Sequence, residues 1–125
     1  MLDHVSIGVA DLKRAKKFYD AAFKPLGYTC LSEGAESLGY GNKAAGFWIS
    51  PSKHPVKPDL QSGLHVCFSA PTRKAVEAFY AAALSTGGSD NGGPGLREGY
   101  GENYYAAFVI DPDGYRLEAY CGRPV

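Results

Sequence analysis

The sequence predicts an α+β fold in which two βαβββ repeats pack together as one domain. The first observation is a set of four pairs of identical residues, each pair 61 positions apart: His4 and His65, Phe18 and Phe79, Tyr19 and Tyr80, and Gly27 and Gly88. The second is that each half opens with alternating apolar and polar residues and continues with apolar residues at helical spacing. Neither half has enough apolar surface to close a core alone, so we expect the two halves to share one core.

The first repeat, about residues 1–50, is expected to begin with a strand, because apolar and polar residues alternate over 2–9. Asp11 is suited to cap the helix that follows, and Gly27 ends it. Three shorter strands are expected to complete this half, over residues 28–32, 37–41 and 46–50. The resulting order of elements is βαβββ.

A proline-rich segment over about 51–62 separates the halves and is interpreted as a linker within one domain. The second repeat, about residues 63–125, starts with the same alternation, and Thr72 is suited to cap its helix. A glycine-rich stretch follows this helix. Two further strands are then expected over 104–110 and 115–121, joined by the tight-turn sequence DPDG.

The composition indicates a soluble globular protein with no nucleic-acid or membrane partner. Of the 125 residues, 45% are hydrophobic and 21% are charged, as in ordinary globular domains. Thirteen basic residues balance thirteen acidic ones, and no apolar run approaches the ~20 residues of a membrane-spanning helix. The three cysteines lack a CxxC spacing and form an odd number, which argues against a disulfide framework and favours a reducing cytoplasm.

Three potential metal ligands occupy corresponding places in the predicted strands. His4 and His65 take the same position in the first strand of each half. Glu118 and Tyr120 alternate with apolar neighbours in the last strand, so both point to the face opposite the helix-packed one. Two neutral imidazoles and one carboxylate can hold a divalent metal ion and leave positions open for water or substrate.

These motifs resemble the vicinal oxygen chelate superfamily, which includes glyoxalase I, extradiol dioxygenases, fosfomycin-resistance proteins and bleomycin-resistance proteins. The resemblance is carried by LDHVSIGVADLKRAKKFYDAAFKPLGY at the start, GLHVCFSA in the middle and DPDGYRLEAY at the end. The last segment is similar to the closing hairpin of that superfamily, in which a glutamate is commonly a metal ligand. The resemblance covers nearly the whole chain, and because this scaffold hosts many reactions it indicates the fold more strongly than the activity.

The resemblance implies that curved mixed sheets form a cup. It also implies that His4, His65 and Glu118, in its first, fifth and eighth strands, hold one divalent metal ion, with Fe, Mn, Ni and Zn all compatible. A small-molecule substrate would chelate this ion through two adjacent oxygens. Short members of the superfamily usually pair, so a homodimer is expected, with the ligands of each site drawn either from one chain or from both.

One departure from the pattern argues against standard glyoxalase I activity. Glyoxalase I carries a second carboxylate on its fourth strand, whereas the alignment of the two hairpins sets Trp48 opposite Glu118, and residues 47–50 contain no Asp or Glu. The base that a glyoxalase-type proton transfer needs is therefore missing. A dioxygenase-like or lyase-like metalloenzyme is the function expected instead.

Further site residues are expected around this centre. Tyr120 is a candidate catalytic hydrogen-bonding residue beside Glu118, because the only other histidine, His54, lies in the linker. Five residues are candidates for the wall of the substrate pocket: Trp48, Cys67, Arg97, Tyr100 and Tyr104. The alternative function is a metal-free protein of the bleomycin-resistance type, which binds and sequesters a small aromatic ligand in the cup.

Overall fold

The computed structural model of the chain describes residues 1–57, 59 and 61–125, so positions 58 and 60 of the expected linker lie outside the described residues. The strands and α-helix of the first half are β1 (Val5–Val9), α1 (Leu12–Phe23), β2 (Thr29–Glu33), β3 (Leu38–Gly41) and β4 (Ala45–Pro51). Those of the second half are β5 (Val66–Ser69), α2 (Arg73–Ser85), β6 (Ser89–Asp90), β7 (Gly95–Leu96), β8 (Tyr105–Ile110) and β9 (Arg116–Cys121).

The predicted α+β fold is confirmed, because each half builds one open mixed sheet and one long helix. The first sheet has the strand order β1-β4-β3-β2 and the second has the order β5-β9-β8-β6, with β7 also paired to β8. In both sheets the opening strand runs parallel to the last strand of its half, and the other pairs are antiparallel. The two halves therefore repeat each other in topology as well as in sequence.

The helices begin where the sequence predicts them. The Asp11 side chain accepts hydrogen bonds from the backbone N–H groups of Lys13 and Arg14, at 3.0 and 3.2 Å, which satisfies two donors of the first turn of α1. Thr72 does the same for α2 by accepting from the N–H of Ala75 at 3.0 Å. Neither α1 nor α2, the α-helices of the described chain, is long and apolar enough to cross a membrane.

The glycine-rich stretch after α2 forms two very short strands, β6 and β7, where one strand matching β2 would complete the repeat. Gly92 has φ 137°, in the left-handed region that glycine tolerates, and it lies between these strands. Pro94 follows and has no N–H to donate to a sheet ladder. Gly92 still accepts a hydrogen bond from the Phe108 N–H of β8 at 2.8 Å, and the pairing register against β8 shifts by two residues between β6 and β7, which divides the strand into two pieces.

Helices and sheets from both halves contribute to one buried core. Helix α1 packs on β4, helix α2 packs on β8 and β9, and the two helices pack against each other. Two tyrosines join the halves further: the Tyr28 hydroxyl donates to the Ser69 carbonyl at 2.8 Å, and the Tyr115 hydroxyl donates to the Gly8 carbonyl at 2.6 Å. Gly8 and Ser69 are 61 residues apart, so each half holds the opening strand of the other at the same repeat position.

The pairing registers identify Trp48 as the counterpart of Glu118. Trp48 lies opposite Ser6 of β1, and Glu118 lies opposite Cys67 of β5. Ser6 and Cys67 are also 61 residues apart. The first sheet thus carries an indole at the position where the second sheet carries a carboxylate.

Candidate functional site

A cavity of about 520 Å³ lies beside the second sheet and contains two of the predicted metal ligands. His65 and Glu118 line it, together with Tyr104, Phe108 and Arg116. Glu118 occupies β9 between Leu117 and Ala119, which are buried in the core shared with α2, so its side chain lies on the opposite face of the sheet. The alternation of β9 therefore directs one carboxylate into a cavity.

The Glu118 carboxylate is buried and both of its oxygens have partners. The residue is only 3% exposed. The Nε2 atom of His65 lies 3.1 Å from Oε1, and the Tyr104 hydroxyl donates to Oε2 at 2.5 Å. Because a buried carboxylate is costly without such partners, His65 and Tyr104 stabilise Glu118 in one orientation.

Three tyrosine rings form a wall next to this carboxylate. The rings of Tyr104 and Tyr120 lie 4.1 Å apart between centroids, and those of Tyr100 and Tyr104 lie 5.2 Å apart. Desolvation and the hydrogen bond to Glu118 raise the pKa of Tyr104 well above its usual range, so this phenol stays protonated and donates. Tyr120, the expected hydrogen-bonding residue, packs against Tyr104, and the hydroxyl that reaches Glu118 belongs to Tyr104.

Cys67 and Phe108 are the direct neighbours of Glu118 across the sheet, on β5 and β8 respectively. Desolvation of the thiol, followed by the negative charge of Glu118, raises the pKa of Cys67 to about 12. Cys67 is therefore a neutral thiol near neutral pH and lacks the thiolate character of a reactive cysteine.

The remaining pocket candidates, Arg97 and Trp48, are not among the described residues that line the cavity of Glu118. The Arg97 guanidinium donates to the carbonyls of Gly93 and Gly95, at 2.6 and 2.9 Å, and lies 5.3 Å from the centre of the Phe108 ring. It therefore braces the glycine-rich loop behind one wall of the cavity. Trp48 belongs to the first sheet, where its indole covers Gly39 so closely that a Cβ there would lie 2.6 Å from a ring carbon.

His4 lies apart from the other two predicted ligands. It directly precedes β1, as His65 directly precedes β5, but it lines a different cavity of about 360 Å³ whose walls are mostly apolar. Its Nδ1 atom is 2.7 Å from a carboxylate oxygen of Asp3, and half of its side chain is exposed. Within the described part of one chain, no group of three His, Cys, Asp or Glu side chains is arranged to hold a metal ion.

The pair formed by His65 and Glu118 nevertheless fits a shared metal ion. Nitrogen and oxygen ligands bind divalent ions such as zinc at about 2.0–2.2 Å, so two neighbouring ligands lie about 3 Å apart at a right angle and about 3.4 Å apart at the tetrahedral angle of zinc. The observed separation of 3.1 Å between Nε2 and Oε1 falls within this range and is also that of a hydrogen bond. One chain thus brings together two of the three predicted ligands and leaves His4 exposed elsewhere.

Comparison with known proteins gives a consistent family. The chain matches the sequence profile of the Glyoxalase/Bleomycin resistance protein/Dioxygenase superfamily over residues 1–119. A solved glyoxalase/bleomycin resistance protein from Albidiferax ferrireducens T118 is 32% identical, with a TM-score of 0.85 over 96% of this chain and 98% of that one. No curated protein sequence matches the chain significantly.

More distant solved structures share the fold. A glyoxalase-related enzyme from Fulvimarina pelagi is 16% identical, with a TM-score of 0.75 over 96% of this chain and 86% of that one. A variant of the fosfomycin resistance protein FosX from Listeria monocytogenes is also 16% identical, with a TM-score of 0.69 over 98% of this chain and 90% of that one. That FosX structure contains Mn(II) and 1S,2S-dihydroxypropylphosphonic acid.

Proposed function

Because the chain belongs to the glyoxalase/bleomycin resistance protein/dioxygenase superfamily, we propose that it is a metal-dependent enzyme whose small substrate binds one divalent ion through two adjacent oxygens. The observation that carries this proposal is the buried Glu118 carboxylate, held 3.1 Å from the His65 imidazole at the wall of a cavity. A buried carboxylate beside a histidine in a cavity supplies two of the three protein ligands that a catalytic metal site usually has.

The third ligand is proposed to be His4 of a second copy of the chain, which makes the active protein a homodimer. Two observations support this assignment: the side chains of His4 and His65 are both about half exposed, so a second copy can reach either, and the described residues of one chain provide no third ligand beside His65 and Glu118. The metal would act as a Lewis acid on the chelating oxygens of the substrate. Fe, Mn, Ni and Zn suit these ligands, and Mn(II), the ion present in the FosX structure, is the first to test.

The chain's own residues would prepare the site for this chemistry. The Tyr104 hydroxyl holds Glu118 through Oε2, and Oε1 of the same carboxylate faces His65. The Tyr104 ring, which packs against Tyr120, would form part of the cavity wall that meets the substrate. Trp48 occupies the repeat position of Glu118, and an indole is not a base, so a dioxygenase-like or lyase-like reaction is proposed over a glyoxalase I reaction.

Metal content and Mn(II) affinity test the proposal directly. Protein purified without chelators is expected to contain a divalent ion, and His65→Ala is expected to lose it. His54→Ala is the matched control, because His54 lies in the linker and no proposed ligand role falls on it. A wild-type protein that binds no divalent ion would refute a metal-dependent function.

Mixing two inactive variants tests whether the site spans two chains. His4→Ala and Glu118→Ala each remove one ligand, and neither homodimer is expected to bind Mn(II) tightly. A mixed dimer regains one intact site if His4 comes from the second chain, and random exchange gives about a quarter of the wild-type sites. If each site lies within one chain, mixing restores none.

A metal-free binding protein is a second candidate, and the cavity beside His4 favours it. The rings of Phe23, Tyr28, Phe47 and Phe68 line this cavity, and its surface is mostly apolar. Such walls suit a planar aromatic ligand. Thermal unfolding with and without EDTA separates the two functions: stabilisation by planar compounds that EDTA does not change supports the binding protein.

A further inference from the structure

The cavity that His4 lines, called the His4 cavity below, has a polar rim and a buried apolar interior. Asp3 and His4 lie on its rim, where their side chains are 94% and 50% exposed. Phe23 and Phe47 also line it, and they are only 1% and 5% exposed. The cavity therefore extends from His4 at the surface to aromatic rings inside the protein.

The tyrosines of the His4 cavity offer their rings rather than their hydroxyls to a ligand. The Tyr28 hydroxyl donates to the Ser69 carbonyl at 2.8 Å, and the Tyr40 hydroxyl donates to Asp20 at 2.7 Å. A polar group buried among such walls would lose its hydrogen bonds to water without gaining others, which is costly. The interior therefore selects an apolar group.

The size of the His4 cavity suits one or two aromatic rings. An apolar cavity of about 150 Å³ is already large enough to hold benzene. The His4 cavity has about 360 Å³, which lies within the range of about 300–1,000 Å³ that is usual for ligand pockets. The rings of Phe23 and Phe68 on its wall lie edge to face, 4.8 Å apart between centroids, and a flat ring can join such packing.

The hydrogen-bond partner of His4 indicates which of its nitrogens would bind a metal ion. Nδ1 lies 2.7 Å from a carboxylate oxygen of Asp3. Histidines that bind a metal ion usually donate their other ring N–H to a carboxylate, a carbonyl or water. Under the proposed function the ion would therefore lie on Nε2, at a distance of about 2.0–2.1 Å and at the rim of the His4 cavity.

We propose that the His4 cavity holds the apolar part of the substrate, while two adjacent oxygens of the same molecule bind the ion at its rim. The substrate class is then a flat, apolar molecule that carries its oxygen pair at one end. The cavity belongs to the chain that supplies His4, so the substrate would contact both chains of the dimer. This inference rests on the proposed function for the position of the ion, and ring binding can be measured without metal.

Three compounds separate ring binding from chelation. 2-Naphthol has two fused rings and one oxygen, catechol has one ring and two adjacent oxygens, and 2,3-dihydroxynaphthalene combines both features. Metal-free protein is expected to bind 2-naphthol in a fluorescence titration. In calorimetry on the Mn(II)-loaded protein, 2,3-dihydroxynaphthalene is expected to bind about 10- to 100-fold more tightly than catechol, because its second ring is buried in the cavity.

Variants that fill the His4 cavity assign these effects to it. Gly46 lines the cavity, and a Cβ there would meet only the Asp3 carbonyl oxygen, at 3.9 Å. Gly46→Phe is expected to abolish both 2-naphthol binding and the advantage of the second ring. Gly34→Phe is the matched control, because its Cβ would also meet one carbonyl oxygen at 3.9 Å, and Gly34 is not among the described residues that line the cavity. Ala44→Phe, at an exposed position of the rim, is a second filling variant, and thermal unfolding checks that each variant folds.

Mixed dimers show which chain's cavity is used. When His4→Ala and Glu118→Ala chains are mixed, the intact site takes His4 from the Glu118→Ala chain. Gly46→Phe in that chain is expected to remove the advantage of 2,3-dihydroxynaphthalene over catechol, whereas Gly46→Phe in the His4→Ala chain should keep it. The reverse result overturns the inference.

Three further results would also overturn it: no binding of 2-naphthol, equal affinity for catechol and 2,3-dihydroxynaphthalene, or effects that survive both filling variants. Binding of 2,3-dihydroxynaphthalene that EDTA leaves unchanged would assign the cavity to a metal-free binding protein instead. If the protein takes up no Mn(II), the proposed function fails together with the chelation step. The 2-naphthol titration then still decides whether the cavity holds a ring.

Discussion

Replacing Tyr104 by phenylalanine is expected to weaken Mn(II) binding, because its hydroxyl fixes the orientation of Glu118. The substitution removes the donor that lies 2.5 Å from Oε2 and keeps the ring that stacks on Tyr120 at 4.1 Å. A hydrogen bond to a charged group contributes about 1.5–3 kcal/mol, and Glu118, at 3% exposure, has little water to replace it. This range corresponds to about a 10- to 100-fold loss of affinity, which is also typical for residues that orient a metal ligand.

The comparison variant is Tyr100→Phe. Tyr100 also contacts the Tyr104 ring, at 5.2 Å between centroids, and is 70% exposed. Tyr100→Phe therefore removes the same atom, the phenolic oxygen, from the same aromatic wall and leaves the contacts of the Glu118 carboxylate intact. Mn(II) affinity would be measured by electron paramagnetic resonance titration at neutral pH, and thermal unfolding of each metal-free variant would confirm that the fold is intact.

Three results would refute this role for Tyr104. Unchanged Mn(II) affinity in Tyr104→Phe would mean that the hydroxyl does not orient Glu118. An equal loss in Tyr100→Phe would assign the effect to the aromatic wall as a whole. Tighter binding in Tyr104→Phe would show that the hydroxyl competes with the ion for the carboxylate.

Two further predictions concern the fold around the site. Tyr19→Phe should lower the free energy of unfolding by about 1.5–3 kcal/mol at pH 7, because the Tyr19 hydroxyl donates to buried Asp111 at 2.5 Å. Burial raises the pKa of Asp111 above its usual value of 3.8, so the contribution of Asp111 to stability is greatest in acid, where it is protonated, and falls as pH rises through the folded-state pKa. The hydrogen bond from Tyr19 is stronger to the ionised carboxylate, so removing it costs more at the higher pH. Urea unfolding at about pH 4 and pH 7 should show the smaller loss in acid, and an equal loss at both would contradict this. Gly39→Ala should shift the fluorescence of Trp48, since the added methyl would lie 2.6 Å from its ring, whereas Gly99→Ala, with no atom within 4 Å, should not.

Much of the fold was predictable because its signals are local. Alternation of apolar residues marks β1 and β9, caps at Asp11 and Thr72 mark both helix starts, and each signal depends on a few neighbouring residues. The repeat adds long-range information, since it predicts that the two halves share one topology, which the sheets confirm. The divided strand after α2 escaped prediction because the conformations of consecutive glycines depend on what packs around them.

The partners of Glu118 could be predicted only in part. Alternation in β9 directs the carboxylate away from the core, but the residues that meet it come from other segments. Tyr104 directly precedes β8 and follows the short 3₁₀ turn Glu98–Tyr100, and no periodicity determines the direction of a side chain in such a segment. The sequence therefore predicted Tyr104 only as part of the pocket wall, and the structure shows that its hydroxyl donates to the carboxylate.

The position of His4 shows what a sequence repeat can establish about a site. Equivalence at 61 residues places His4 and His65 at the same point of two sheets, directly before β1 and β5. It does not require that these points meet, because the two sheets share their core through the packed helices α1 and α2. Glu118 lies on the opposite face of its sheet, in a cavity that His4 of the same chain does not line. If the three residues bind one ion, as proposed, His4 must come from a second chain. The exposed His4 is then the ligand that each chain contributes to the site of its partner.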